Sequence, residues 1–136
     1  MQRLHHAGYV VKSIEEQVEG FVKALCATWD KKIIHDPLQG AKVTFLRTPG
    51  AGDAQVELVE PVGGESPVAS FLAKGGGLHH LCYEVDDLGE HLKVMRTAGA
   101  VIVRASMPAT AFENRLIAWV WTRQKLLLEF LESAKQ

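Results

Sequence analysis

The sequence has no surplus of either charge, no long apolar run and only two cysteines, and each shortage removes a class of function. Fifteen Lys and Arg stand against sixteen Asp and Glu, a net charge of -1 with histidine neutral. With no basic run and no acidic tail, neither a nucleic-acid partner nor a membrane surface has an electrostatic basis. No apolar stretch approaches the roughly 20 residues needed to span a bilayer. The opening residues Met1 to His6 hold no apolar run of the signal-peptide kind, so the expected location is cytoplasmic. Cys26 and Cys82 sit in unlike contexts and form no close-spaced motif. Both are expected to be small buried thiols. What remains is an ordinary soluble composition, 47% hydrophobic and 23% charged. A chain of 136 residues is long enough to bury a core without staples and fits a single domain, residues 1–136.

The chain is organised by a repeat. Leu4-His5-His6 recurs as Leu78-His79-His80, and each triplet opens an apolar-alternating run, Ala7 to Val11 and Leu81 to Val85. Each run meets a helix start. Ser13 is an N-cap with Glu16 three positions on, and Asp87 is an N-cap with Glu90 three positions on. Helical spacing follows at Ile14, Val18, Phe21, Val22 and Leu25, and again at Leu88, Leu92 and Met95, with Gly99 as a stop. Strand-like segments come next: Lys32 to His35, Lys42 to Arg47 and Gln55 to Glu60, then Val101 to Arg104, Arg115 to Trp121 and Lys125 to Leu131. Between the halves, Ser66 caps a short helix with Pro67 in its first turn, and Gly75-Gly76-Gly77 ends it. The reading is α+β: two βαβββ modules forming a curved, cup-shaped, mixed or antiparallel sheet with helices outside. Repeat one covers about 1–61, the linker helix about 62–77 and repeat two about 78–136.

Alternation along the strands then picks out four residues. Leu126, Leu128 and Phe130 share one face, assigned to the helix-packed core. Leu127, Glu129 and Leu131 share the other, so Glu129 is an acid flanked by leucines. A lone buried carboxylate is costly and needs a partner. Glu57 stands at the corresponding place in the first repeat, 72 positions earlier, and His80 follows His6 by 74. Two neutral imidazoles and two carboxylates balance one divalent ion. That mixed nitrogen and oxygen set suits Zn, Mn, Co, Ni or Fe(II). The metal ligands expected from the sequence are therefore His6, Glu57, His80 and Glu129. His5 and His79 fall on the opposite strand face and are read as structural. His91 lies on a helix and is expected to be exposed.

These residues resemble the vicinal oxygen chelate superfamily, the glyoxalase/bleomycin-resistance fold, and within it the methylmalonyl-CoA epimerases most of all. The resemblance rests on His6 to Glu16, on Val56 to Pro61, on Ser66 to Leu72, on Gly77 to Asp87 and on Leu126 to Glu132, which together span nearly the whole chain. It implies the paired modules, one divalent metal at the four residues above, a small carbonyl or acyl-CoA-like substrate bound through oxygen, and a homodimer. It also implies enolate chemistry, with Glu129 as a catalytic base. Epimerisation needs a second base. The family places a glutamate before a Gln-Gly pair, and the residue before Gln39-Gly40 here is Leu38, which leaves Asp36 or His35 as substitutes. The expected function is a metal-dependent isomerase or epimerase. The alternatives are a glyoxalase I-like lyase, which a one-base mechanism suits, and a non-catalytic binding protein of the antibiotic-resistance kind. Arg47, Arg104, Arg115 and Arg123 are candidates for an anionic substrate tail, with solvated strand ends as the plainer reading. Trp119 and Trp121 share a strand face and suit either the cup or packing.

Overall fold

The computed structural model of the chain describes residues 2–134. Its elements run β1 (Gln2–Val10), α1 (Ile14–Leu25), β2 (Thr28–Trp29), β3 (Ile34–Asp36), β4 (Ala41–Arg47), β5 (Gln55–Pro61), α2 (Pro67–Ala73), β6 (Gly77–Val85), α3 (Leu88–Thr97), β7 (Val101–Ala109), a 3-10 turn (Thr110–Phe112), β8 (Arg115–Trp121) and β9 (Leu127–Glu132). The class is α+β with a mixed strand pattern; the second half has the expected βαβββ order, and the first has the same order with one additional short strand, because both β2 and β3 pair with β4. No helix among the described residues is long and apolar enough to cross a membrane.

Two compact units divide the chain. One is His6–His79; the other joins residues 2–5 to residues 80–134, so each boundary falls inside a His-His doublet. In the first unit the strand order is β2-β4-β5-β1, with β3 also paired to β4. β1 and β5 are parallel, and the other pairings of this unit are antiparallel. α1 covers one face, where Val11, Ile14, Val18, Ala27, Leu46 and Leu58 form a buried core. The short strands β2 and β3 are tied down by a polar link. Trp29 Nε1 donates to Thr44 Oγ1 at 2.7 Å, and Thr44 Oγ1 donates to the Lys32 carbonyl at 2.5 Å. Thr44 is fully buried, so this satisfied hydroxyl avoids the cost of an orphaned one.

The second unit repeats the plan with the order β6-β9-β8-β7. β6 and β9 are parallel; β8 is antiparallel to both β9 and β7. α3 packs over Val85, Ala118, Val120, Leu128 and Phe130 through Leu88 and Leu92. Each helix carries the expected cap: Ser13 Oγ accepts from Glu16 N at 3.2 Å, and Asp87 Oδ1 accepts from Glu90 N at 3.0 Å.

A further cap comes from across each sheet. Glu60 Oε1 accepts from Ile14 N at 2.8 Å, and Glu132 Oε2 accepts from Leu88 N at 3.0 Å. Both donors are the first residues of their helices, and both carboxylates lie within the final two residues of the last strand of their own module. A carboxylate on a helix N-terminus satisfies an orphan donor and complements the dipole. Glu132→Ala is accordingly expected to lower stability by about 1 kcal/mol, read as a shifted urea midpoint. The same change at exposed Glu15 should stay within about 0.5 kcal/mol.

Three local expectations need correction. Leu126 is exposed and precedes β9 rather than joining its core face. The chain turns there: Lys125 takes φ 65°, Thr122 N donates to the Leu126 carbonyl and Leu126 N donates to Thr122 Oγ1. Cys26 is exposed, because it is the left-handed C-cap of α1 at φ 51° and follows the last buried turn. His91 is half-buried, with its ring 4.4 Å from that of Phe130. Burial pushes its imidazole below the ordinary histidine range.

Candidate functional site

Each unit carries one buried pair of histidine and glutamate. In the first, β1 supplies His6 and β5 supplies Glu57, and His6 Nε2 lies 3.2 Å from Glu57 Oε1. In the second, β6 supplies His80 and β9 supplies Glu129, with His80 Nε2 3.4 Å from Glu129 Oε1. All four side chains are at least nine-tenths buried.

The parallel pairings produce this geometry. Gly8 stands directly across from Glu57, and Cys82 directly across from Glu129. In both cases the histidine is two residues earlier, on the same face by alternation. A small residue opposite the carboxylate leaves room for the imidazole to reach over diagonally. The two pairs are thus the same construction made twice.

Their spacing carries chemical information. A charge-assisted N–H···O bond normally measures about 2.7–2.9 Å, so 3.2 and 3.4 Å are long for that purpose. Two ligand atoms that are each about 2.1 Å from one ion lie about 3.0–3.4 Å apart at angles between a right angle and the tetrahedral value. Both pairs have that separation. Nitrogen and carboxylate oxygen in equal number are also a donor set for borderline divalent ions. Burying such groups is costly unless they are paired, and in each unit the histidine and glutamate are partners.

The same face of the second unit bears a charged cluster. Glu84 lies two residues beyond Cys82 on β6 and pairs with both Arg3 and Arg115; Arg115 Nη1 is 2.7 Å from Glu84 Oε2. Burial acts to raise the Glu84 pKa, but hydrogen bonds from Arg115 and Arg3 and their charges outweigh it and hold the carboxyl below its usual range. Arg115 is thus engaged with Glu84. Trp119 and Trp121 share the face of Glu129 as alternation predicts, Trp119 directly across from Glu129 and Trp121 across from Leu127.

The candidates for a second base separate clearly. Asp36 pairs with Ala41 on β3, on the face that carries Val43, Phe45 and Glu57. It is 2% exposed, and its Oδ1 accepts from Gln39 N at 3.3 Å. His35 pairs with Lys42, points to the other face and is exposed. His5 rests against Phe112 with ring centroids 5.2 Å apart, and His79 against Phe71 at 4.8 Å.

Two aromatic residues complete the picture: Trp119, which the sequence offered to either the cup or packing, and Phe45, which it did not single out. Phe45 lies directly across from Glu57, as Trp119 does from Glu129. The Phe45 ring meets His6 at 5.5 Å with an interplanar angle of 71°, and the Trp119 ring meets His80 at 4.7 Å and 80°. Trp119 follows Phe45 by 74 positions, the interval that separates the two histidines. That equality was the available signal.

Comparison with known proteins places the chain in a family. Residues 5–119 match the family model described as Glyoxalase/Bleomycin resistance protein/Dioxygenase superfamily. The ethylmalonyl-CoA/methylmalonyl-CoA epimerase of Cereibacter sphaeroides is 32% identical over 108 residues, 78% of either chain. The mitochondrial methylmalonyl-CoA epimerase of Homo sapiens is 34% identical over 88 residues, 63% of this chain and 48% of that one. The chain therefore matches about half the length of the human relative. Among solved structures, methylmalonyl-CoA epimerase from Mycobacterium tuberculosis has a TM-score of 0.84 at 27% identity, covering 98% of this chain and 89% of that one. A hypothetical protein from Bacillus halodurans C-125 has a TM-score of 0.85 at 28% identity, covering 99% and 96%. The family match extends over most of the chain, and this protein belongs to the glyoxalase/bleomycin resistance protein/dioxygenase superfamily.

Proposed function

We propose that the protein is a divalent-metal-dependent isomerase acting beside the carbonyl of an acyl-thioester or related substrate. In this reading the two units are halves of one domain, and His6, Glu57, His80 and Glu129 together hold one ion. The observation that carries it is the twice-made buried histidine–glutamate pair, at the spacing of atoms that share an ion. The relatives named as acyl-CoA epimerases support the substrate class. Zn, Co, Mn, Ni and Fe all suit the donor set.

When bound, such an ion supplies a Lewis acid for the substrate oxygen on which negative charge develops. The chain's own residues do the rest. Leu127 and Leu131 flank Glu129 on its face of β9, and its carboxylate is buried. Glu129 is the general base that takes the proton next to the carbonyl. Asp36, buried on the Glu57 face, is the candidate for the second proton carrier that epimerisation requires. Leu38 cannot carry a proton, and His35 faces away. If Asp36 does not serve, Glu129 returns the proton itself. That one-base course suits a glyoxalase I-like lyase, and Leu38 is the observation that favours this second reading.

Metal content of protein purified without a polyhistidine tag is the test. About one divalent ion per chain is expected, with loss in the double variant His80→Ala/Glu129→Ala. Incorporation of solvent deuterium next to the carbonyl of an acyl-CoA then checks the chemistry. A protein that contains no metal and takes up none of Zn, Mn, Co or Ni overturns the reading.

A further inference from the structure

The structure assigns Phe45 and Trp119 as positioning residues that hold the two metal-binding imidazoles edge-on. This inference rests on the proposed metal reading and adds what orients its ligands.

The torsion that turns an imidazole about its Cβ–Cγ bond has broad, shallow preferences. Turning it would carry Nε2 out of its place beside the glutamate and bring a carbon forward. A strand backbone fixes where the ring is attached but not how its plane lies, so something else must set the plane. In each unit that neighbour is an aromatic ring two strands away, on the strand antiparallel to the glutamate's. Phe45 on β4 meets His6 and Trp119 on β8 meets His80, both near perpendicular, at 5.5 and 4.7 Å. Each ring also stands directly across from the partner carboxylate. One aromatic residue is therefore in ring contact with the histidine of its pair and stands across the sheet from the glutamate.

The repetition separates this from ordinary packing. Residues that only fill space drift between two halves so diverged: opposite each carboxylate, the halves differ as Gly8 and Cys82. At the ring position both halves keep an aromatic, although one is Phe and the other Trp. The shared property is a flat, rigid face rather than a volume or a hydrogen-bonding group.

An edge-to-face contact is worth about two- to tenfold in an equilibrium constant. Outer partners of metal-bound histidines typically contribute about 10–100-fold in affinity. Co(II) is the probe, because its visible bands report both occupancy and coordination geometry. Its affinity is measured by competition with a chelator for the wild type, Phe45→Leu, Trp119→Leu, Trp119→Met and Trp119→Phe, with thermal unfolding alongside. Phe45→Leu, Trp119→Leu and Trp119→Met are expected to weaken Co(II) binding by about tenfold and to alter the visible spectrum. Trp119→Phe restores the affinity to within about threefold of wild type. Trp119→Met keeps an apolar chain of comparable reach without the flat face, so it stands in should the leucine variant not fold. Unchanged affinity and spectrum in folded Leu or Met variants overturn the positioning role and leave the metal site intact. So does a Phe variant as weak as the Leu variant. A folded wild-type protein that binds no Co(II) overturns the metal reading and this inference with it.

Discussion

Glu129→Gln is expected to lower turnover by about 10²–10⁴-fold even with the ion in excess, whereas Glu57→Gln recovers most of its rate once the ion is supplied. The two glutamates are matched in position, burial and histidine partner, so as proposed ligands they are equivalent. On the proposed reading, either substitution would exchange a carboxylate for a neutral amide and weaken metal binding, a loss that excess metal would repair. Proton transfer is not repaired by metal, because an amide has no basic lone pair at neutral pH. The assignment of Glu129 as the base therefore predicts a split between two residues that geometry alone does not distinguish. The measurement is deuterium uptake against metal concentration, on the substrate that exchanges with the wild-type protein. Equal recovery of both variants removes Glu129 from the proton-transfer role. Recovery of Glu129→Gln alone transfers it to Glu57.

The largest loss of stability is expected from Phe130→Ala, about 3–5 kcal/mol. Phe130 is fully buried beneath α3, among Leu88, Leu92, Ala118, Val120 and Leu128, with the His91 ring against it. Truncation removes a ring and leaves a cavity lined by residues of three strands and a helix, which cannot all move in to close it. Domains of this size are stable by only about 5–15 kcal/mol, so a loss of that size takes a large share. Chemical denaturation monitored by circular dichroism gives the number. Val94→Ala, on the outer face of the same helix and 61% exposed, should change stability by less than about 0.5 kcal/mol. A loss below about 1 kcal/mol for Phe130→Ala contradicts the packing described.

The sequence alone made the repeat legible, because His6, Glu57, His80 and Glu129 keep nearly one interval and each histidine opens an alternating run. Caps were legible too, since Ser13 and Asp87 act on residues three positions away. What depended on strand register was not. Phe45 and Trp119 reach their histidines only through the antiparallel pairings β4–β5 and β8–β9, and no local pattern encodes those. The same holds for Glu60 and Glu132, which cap helices more than forty residues distant. Short or irregular elements were also hidden. β2 has two residues, held by the Trp29–Thr44 link rather than by propensity. β7 runs on to Ala109 past two register shifts that break its alternation. Leu126 looked like a core residue because its apolar neighbours extend the period, while the positive φ at Lys125 ends it.

The boundaries inside the His-His doublets bear on how the chain is built as it leaves the ribosome. Residues 6–79 find their unit's partners within one continuous stretch and can organise as soon as that stretch has emerged. Residues 2–5 are made before that stretch but belong with residues 80–134, made after it. Arg3 waits for Glu84, 81 positions on, and such distant closures are slow and entropically costly. A split-protein experiment divided at the sequence repeat, before Leu78, would therefore strand Arg3 on the wrong fragment. Division by folded unit instead severs the chain between adjacent histidines, at His5-His6 and again at His79-His80.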